Sequence, residues 1–256
     1  MRLQAGLKLL LGLGLVRLSL AIRPNTYFEH TLLKADATID EIKTLCEEAE
    51  KFHFSTVCVN SCYIKHALSF LTNVPVCAVI GFPLGSMSTE SKVAETVQCI
   101  HDGAREIDMV MNVGMLKSKE YDYVKNDIKA VVNECKKSDV CCKVILEMCL
   151  LTEDEKMMAC DFAIQAGAHF VKTSTGFSSG GATVKDVALL ANIATPKGVK
   201  VKASGGIRNG VTAKALLSAG AVRLGTSATV TVYEQLVGIN SNDNFEEGAA
   251  NSSDKY

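Results

Sequence analysis

Eight short apolar runs, each followed by a helical pattern, limit the fold of this chain more than any other feature of its sequence. Each run is rich in β-branched residues and ends in glycine or polar residues, and apolar residues then recur at helical spacing. The predicted strands cover residues 27–33, 56–60, 76–82, 106–113, 143–148, 169–174, 199–204 and 222–226. The predicted helices cover residues 38–52, 61–73, 89–102, 120–137, 152–166, 183–195, 209–219 and 228–237.

A series of eight βα units over about 210 residues matches an α/β fold of one domain, the (β/α)8 TIM barrel. An open, doubly wound parallel sheet is the alternative, because periodicity does not show whether a sheet closes on itself. In both architectures ligands bind at the carboxyl ends of the strands. We therefore look for chemistry at the strand ends.

The barrel is predicted to span residues 24–237, with an extension on either side. Residues 1–23 carry four basic residues and no acidic residue. Their apolar run is interrupted by Arg17 and is shorter than the roughly 20 residues of a membrane-spanning helix. An amphipathic helix that covers one end of the fold and a targeting segment for an organelle both fit this composition. Residues 238–256 are polar, which predicts a flexible tail.

Charge and cysteine content limit the partners and the compartment. The chain has 27 Lys and Arg against 28 Asp and Glu, so no basic surface for nucleic acid is expected. Without a membrane span, the expected partner is a small molecule. The ten cysteines lie within apolar patterns and form no CxxC pair, which is typical of reduced thiols in a cytoplasmic protein.

Two lysines stand where strands usually carry apolar residues. "FVKTSTGF" (170–177) contains Lys172, and "VKVKASGGIR" (199–208) contains Lys202 directly before a glycine turn. A free lysine amine has a pKa near 10.4, so a nucleophilic lysine needs burial or a second positive charge nearby. A single strand lysine more often extends to solvent or pairs with a carboxylate. Two lysines at matched ends of two strands instead favour a site that forms a Schiff base.

Further candidates lie at other strand ends. Asp108 in "EIDMVMNVG" (106–114) would relay protons between the lysines, or else cap the following loop. Glu147 is either a structural partner for a lysine or an acceptor in the pocket. We expect no metal site, because the histidines form no pair at ligand spacing, namely His30, His53, His66, His101 and His169.

Glycine turns late in the chain predict a phosphate site. Gly205 and Gly206 follow the seventh predicted strand, and Gly225 and Ser227 follow the eighth, where a helix begins. Backbone N–H groups at such turns and helix N-termini bind phosphate, and these two loops commonly do so in (β/α)8 barrels.

Six motifs, in order, resemble those of the deoxyribose-phosphate aldolase family: "HTLLKADAT", "STVCVN", "VIGFPLG", "EIDMVMNVG", "FVKTSTGFSSGGAT" and "VKASGGIR". The resemblance covers about residues 27–230. It implies a class I aldolase without metal or cofactor. The implied reaction, part of deoxynucleoside catabolism, is reversible cleavage of 2-deoxy-D-ribose 5-phosphate to acetaldehyde and D-glyceraldehyde 3-phosphate.

The resemblance also implies roles for individual residues. Lys172 would form the Schiff base, Lys202 would favour its neutral form, and Asp108 would relay protons. The phosphate would bind at Gly176, Gly205, Gly206, Gly225 and Ser227, with Thr31 and Cys58 lining the sugar end. Tyr256 matches the C-terminal tyrosine with which longer members assist proton transfer at the substrate methyl carbon.

The chain departs from the family pattern at two positions. Glu29 replaces the usual aspartate, which puts its contact with a substrate hydroxyl in doubt. Lys200 stands where a small or apolar residue is expected, and we place it at the opposite end of the barrel. We expect a homo-oligomer, either a dimer or a tetramer. A TIM-barrel phospho-sugar isomerase with a carboxylate or cysteine base and a catalytically silent sugar-phosphate binding protein are the alternative functions.

Overall fold

A computed structural model describes residues 24–241, apart from the side chains of 239–241, and shows a closed barrel of eight parallel strands. Each strand pairs with the next, and the last strand pairs with the first through Phe28 and Leu224. The predicted barrel is confirmed, and the open sheet is excluded. The strands are β1 (Phe28–Leu32), β2 (Thr56–Asn60), β3 (Val76–Ile80), β4 (Glu106–Val110), β5 (Cys141–Ile145), β6 (Phe170–Lys172), β7 (Lys200–Ser204) and β8 (Arg223–Thr226).

Helices surround the barrel and match the predicted pattern of βα units. Thr38 and Thr152 form capping boxes at the first turns of two of them, which satisfies backbone N–H groups left free at a helix start. The helices are α1 (Ile39–Phe52), α2 (Ile64–Phe70), α3 (Thr89–His101), α4 (Val113–Lys117), α5 (Tyr121–Lys137), α6 (Glu153–Ala166), α7 (Val184–Ala194), α8 (Gly210–Ser218) and α9 (Thr229–Ser241).

The structure differs from the prediction at a few boundaries. β4 ends at Val110 rather than at 113, because the Asn112 side chain accepts a hydrogen bond from the Met115 amide and starts the unpredicted helix α4. α2 is shorter than the predicted 61–73. α9 continues to Ser241, past the predicted boundary at 237. Residues 1–23 and 242–256, with Tyr256, lie outside the described part of the chain.

Strand alternation separates an apolar layer from a charged lumen. On β4, Ile107 and Met109 join the main core between strands and helices, whereas Asp108 points inward. On β7, Val201 joins the same core and Lys202 points inward. Each fully buried aliphatic side chain of the outer layer contributes about 1.5–3 kcal/mol. The apolar layer between strands and helices thus supplies the stability that offsets the cost of burying charged side chains in the lumen.

Within residues 24–241, none of the helices is both long enough and apolar enough to span a bilayer.

Candidate active site

Seven charged side chains meet inside the barrel, and we call them the lumen cluster. Strand alternation points them inward from six different strands. Lys172 on β6 lies directly beside Lys202 on β7 in the strand register. The members of the lumen cluster are Glu29, Glu106, Asp108, Lys143, Lys172, Lys202 and Arg223.

Asp108 lies at the centre of the lumen cluster and is fully buried. Its Oδ2 accepts hydrogen bonds from Lys172 Nζ at 2.8 Å and from Lys202 Nζ at 2.7 Å. Its Oδ1 accepts from Lys143 Nζ at 2.8 Å and from the Cys77 thiol at 3.3 Å. The structure thus brings the two predicted lysines and the predicted aspartate into direct contact, with the carboxylate between the two ammonium groups.

Lys143 and Arg223 are cluster members that the sequence reasoning missed. Lys143 contacts Glu29 at 3.2 Å and also contacts Glu106 and Asp108. Arg223 contacts Glu29 at 3.0 Å and Glu106 at 3.4 Å. Lys143 carries the signal that revealed Lys172, a lysine within the apolar run "CCKVILE". It was overlooked because it began a predicted strand.

The ammonium groups of the lumen cluster keep the carboxylates of Glu29 and Asp108 charged. Burial raises the pKa of Glu29, but Lys143 and Lys202 outweigh burial and lower it to about 2. For Asp108, burial is likewise outweighed by Lys143, Lys172 and Lys202, so its pKa lies well below the usual value. Burial lowers the pKa of Lys202, but Asp108 and Glu29 raise it above its ordinary value. Lys202 is therefore a permanent cation.

Lys172 is the cation with the fewest compensating charges. Among the side chains that the structure describes, Lys143 contacts three carboxylates, Lys202 two and Lys172 only Asp108. The cluster holds four cations against three carboxylates. Lys172 is thus the lysine of the cluster with the fewest carboxylate contacts among the described side chains.

Replacing Glu29 with glutamine should change how stability depends on pH. The folded pKa of about 2 lies below the ordinary 4.5, so the carboxylate stabilises the fold above about pH 4.5, by about 3 kcal/mol. This contribution is lost as the pH falls toward 2. We expect Glu29→Gln to be less stable in urea unfolding at pH 7, with the difference from wild type shrinking between pH 4.5 and 2. A difference independent of pH would contradict this prediction.

Two glycine-rich loops meet at the carboxyl ends of β6 and β7. Gly205 has a φ of +82°, and a Cβ there would lie 3.1 Å from Cα of Gly181 and 3.4 Å from Cα of Gly176. The Ala182 amide donates to the Gly205 carbonyl at 3.0 Å. Only residues without side chains allow this close approach. The exposed Gly206 follows directly, with a φ of +75°.

The other predicted phosphate residues lie at β8. Ser227 is exposed just before α9. Gly225 lies within β8, where a Cβ would stand 3.0 Å from Cε of Lys202. Gly225 therefore leaves the space that the Lys202 side chain occupies, a packing role that the sequence did not suggest. Arg208, also exposed, is the cation of these late loops and was not singled out from the sequence.

A family model described as DeoC/LacD family aldolase matches residues 25–228. This chain belongs to the DeoC/LacD aldolase family. The matched region includes every strand of the barrel and the whole lumen cluster.

Curated relatives in the DeoC/LacD family match over most of their length. A protein named deoxyribose-phosphate aldolase from Brevibacillus brevis is 53% identical over 210 residues, covering 81% of this chain and 94% of the relative. A protein of the same name from Finegoldia magna is 52% identical over 212 residues, covering 82% of this chain and 98% of the relative.

Solved structures of aldolases share the fold. The tetrameric deoxyribose phosphate aldolase from Aeropyrum pernix is 34% identical with a TM-score of 0.78, covering 84% of this chain and 92% of that chain. QR15, an aldolase, is 39% identical with a TM-score of 0.80, covering 87% of this chain and 98% of that chain.

Two positions at which the chain departs from the DeoC/LacD pattern now have a structural account. Glu29 directs its carboxylate to Lys143, Lys202 and Arg223 inside the lumen cluster. Lys200 is exposed at the amino end of β7, and its Nζ lies 5.5 Å from the centre of the Phe170 ring. Lys200 is thus at the opposite end of the barrel, as expected.

The residues predicted at the sugar end lie beside the lumen cluster. The Thr31 hydroxyl donates to the Glu29 carbonyl at 3.0 Å. Cys58 is fully buried, and a hydrogen bond from Cys77 lowers the pKa of its thiol. Cys58 and Cys77, with the carboxylates of Glu29 and Asp108, place four ligand atoms within 4.8 Å of one another. A metal ion there would have to displace the lysines that these carboxylates already bind.

Glu147 follows β5 at the mouth of the barrel and is 4% exposed. Its carboxylate accepts from the Thr175 amide at 3.2 Å and from the Thr175 hydroxyl. Its φ of 59° is unusual for a residue other than glycine. Of the two roles considered from the sequence, the contacts show an acceptor at the pocket rather than direct pairing with a lysine.

Glu147 and Thr175 line a cleft of about 120 Å³. Loops after β3, β4, β5 and β6 form its walls, which are otherwise mostly apolar: Pro83, Leu84, Val110, Val113, Leu150, Phe177 and Ser178. The cleft opens at the carboxyl ends of the strands, at the barrel end that carries the glycine-rich loops. A ligand of the lysine site would enter from this end.

Proposed function

We propose that this chain is a deoxyribose-phosphate aldolase that cleaves 2-deoxy-D-ribose 5-phosphate reversibly to acetaldehyde and D-glyceraldehyde 3-phosphate, in the breakdown of deoxynucleosides. The observation that carries the proposal is the lumen cluster, in which Lys172 and Lys202 lie side by side and both donate to the buried Asp108 carboxylate. The names of the relatives that are about half identical support the same activity. Neither the isomerase nor the silent binding protein is favoured.

The proposed chemistry begins with attack of neutral Lys172 on the open-chain aldehyde carbon C1. Asp108 and the Lys202 ammonium hold and move protons while the carbinolamine forms and loses water. The C2–C3 bond then breaks, and the C3 hydroxyl proton leaves as C3 becomes the aldehyde of glyceraldehyde 3-phosphate. The electron pair of the bond passes to the iminium nitrogen, which gives an enamine. Protonation of C2 and hydrolysis release acetaldehyde.

The phosphate of the substrate would bind at the glycine-rich loops. Backbone N–H groups at Gly176, Gly205 and Gly206, with Ser227 before α9, provide donors for a phosphate. Gly225 closes the same end of the site. Arg208 provides positive charge in these loops. Thr31 and Cys58 would line the sugar between the phosphate and Lys172.

Three features beyond the reaction belong to the proposal. The protein works as a homo-oligomer, a dimer or a tetramer, for which the named tetramer of the Aeropyrum pernix relative is the support. It resides in the cytoplasm, where its ten free thiols stay reduced. Tyr256 is a candidate proton shuttle from beyond the described residues. Light scattering after size-exclusion chromatography tests the oligomeric state.

One pair of assays tests the proposed function. Acetaldehyde release from 2-deoxyribose 5-phosphate is followed with a coupled dehydrogenase, for the full chain and for a version that starts at Pro24. Borohydride is then added with substrate, and the modified peptide is identified by mass spectrometry. The proposal expects release and an adduct on Lys172. An isomerase would stay active after borohydride, and a silent binding protein would release no acetaldehyde.

Replacing Lys202 with leucine should shift the acid limb of the pH–rate profile to higher pH. The reason is that a neighbouring ammonium group disfavours a second positive charge, so its removal makes proton loss from the nucleophilic amine harder. The measurement is kcat/KM against pH for wild type and Lys202→Leu. Lys200→Met is the matched control, because Lys200 is on the same strand outside the lumen. An unchanged acid limb in Lys202→Leu would count against the charge argument.

A further inference from the structure

The proposed cleavage leaves an enamine whose carbon C2 must gain a proton. The carboxylates in contact with Lys172 and Lys202 are poor sources of this proton. Glu29 and Asp108 both have lowered pKa values because lysines surround them, so they carry no proton near neutral pH. Another group must therefore supply this proton, and within the described residues we look for it at the mouth of the barrel; Tyr256 is the alternative donor outside them.

Glu147 is a carboxyl group at this mouth with the opposite electrostatic setting. Burial raises its pKa, and hydrogen bonds from Thr175 and the charge of Lys172 only partly oppose burial. Apart from Thr175, the polar neighbour is the Cys149 thiol, whose Sγ lies 4.0 Å from Oε1. Groups whose environments push their pKa values apart are the usual acid and base of an active site.

The backbone places Glu147 beside the Schiff-base position. The Leu146 amide donates to the Lys172 carbonyl at 3.0 Å, and the Met148 amide donates to the Thr173 carbonyl at 2.9 Å. The loop after β5 is therefore joined to the loop that carries Lys172 on both sides of Glu147. The left-handed backbone at Glu147 is the kind of unfavourable conformation that persists at functional sites.

Thr175 connects Glu147 to the cleft. The Thr175 hydroxyl donates to Glu147 and accepts from the Phe177 amide at 3.0 Å. Both residues line the cleft of about 120 Å³ at the mouth of the barrel. Thr175 follows Lys172 by three residues in the chain, so the cleft and the Schiff-base position belong to the same end of the barrel.

We propose that Glu147 and the Thr175 hydroxyl transfer the proton to and from carbon C2 of the enamine, an inference that rests on the proposed function. In the cleavage direction C2 gains a proton from the Thr175 hydroxyl, which regains one from the Glu147 carboxyl group. The enamine becomes an iminium, and water hydrolyses it. The proton of the C3 hydroxyl passes to water in the preceding cleavage step, and Glu147 regains a proton from water after it has given one up, so protons balance over the cycle and no other reagent is needed.

The test separates proton transfer from Schiff-base formation. Wild type and Glu147→Gln are incubated with acetaldehyde in D2O, and deuterium uptake at the methyl group is followed by NMR. Borohydride trapping of acetaldehyde on Lys172 is measured in parallel. We expect Glu147→Gln to lower deuterium uptake by about 10²- to 10⁴-fold and to leave trapping within about twofold of wild type. Glu47→Gln, on the exposed face of α1, is the matched control.

Thr175 supplies a second pair of variants in case Glu147→Gln does not fold. Thr175→Ser retains the hydroxyl and should retain deuterium uptake. Thr175→Val has nearly the same shape without the hydroxyl and should lose uptake to the same extent as Glu147→Gln. Equal uptake in the two Thr175 variants would overturn the inference.

Other results of the uptake and trapping measurements distinguish failure of the proton-transfer inference from failure of the proposed function. Wild-type uptake in folded Glu147→Gln, or equal losses of uptake and trapping, would overturn the inference but leave the proposed function intact. Loss of uptake in Tyr256→Phe, with normal uptake in Glu147→Gln, would assign the step to the C-terminal tyrosine. Absence of any Lys172 adduct in wild type would instead refute the proposed function.

Discussion

Replacing Lys172 with arginine lowers acetaldehyde release from 2-deoxyribose 5-phosphate by at least about 10⁴-fold. The guanidinium keeps a positive charge beside Asp108, so the lumen cluster retains its charges. It stays protonated at every working pH and therefore cannot attack an aldehyde. The same variant should give no adduct with borohydride and substrate. Steady-state rates and mass spectrometry of the trapped protein measure both effects.

The exposed Lys185 offers the matched control for this substitution. It pairs with Glu153 at 3.1 Å on the surface, and its side chain is 75% exposed. Lys185→Arg should retain full activity and the adduct. An adduct in Lys172→Arg that moves to Lys202 or Lys143, with activity retained, would show that another lysine of the lumen cluster is the nucleophile.

Replacing Asp108 with asparagine is expected to impair both activity and stability. The variant loses the carboxylate that lies between three ammonium groups. Removing one partner of a buried ion pair leaves charge uncompensated and costs about 3–5 kcal/mol. Turnover should fall by about 10²- to 10⁴-fold, because the variant lacks the carboxylate that we propose as the proton relay between Lys172 and Lys202. Urea unfolding and steady-state kinetics at pH 7 measure the two effects.

Asp102 provides the comparison for Asp108. It lies at the end of α3 and pairs with the largely exposed Lys65 at 2.9 Å. Hydrogen bonds from Lys65 and Gln98 lower the pKa of Asp102 to about 2, but solvent screens a surface ion pair of this kind, so Asp102→Asn should affect stability much less than Asp108→Asn and leave turnover close to wild type. Equal effects of the two substitutions would mean that the position of Asp108 between the lysines has no special consequence.

Local patterns in the sequence predicted most elements of the barrel. Strand and helix periodicities depend on neighbouring residues, so the eight βα units were visible without tertiary information. Errors occurred where one side chain decided a boundary. Asn112 ends β4 and starts α4 through a single capping hydrogen bond, and capping residues of this type are also common in turns.

The candidate site was only partly predictable. Lys172, Lys202 and Asp108 interrupt apolar runs, and each interruption was visible as a charge in an unfavourable place. Lys143 began its predicted strand and Arg223 lay at the edge of another, where solvent exposure is the ordinary expectation. Barrel closure places both of them inside.

The sequence by itself determined the order of the units and the identity of the two predicted lysines, because these properties follow from local spacing. The tertiary structure decided which charges meet. It inserted Asp108 between Lys172 and Lys202, and among the side chains of the described residues it left Lys172 with a single carboxylate partner. Such pairings join strands that are far apart in the chain, and their strength depends on distance and burial, which local patterns do not encode.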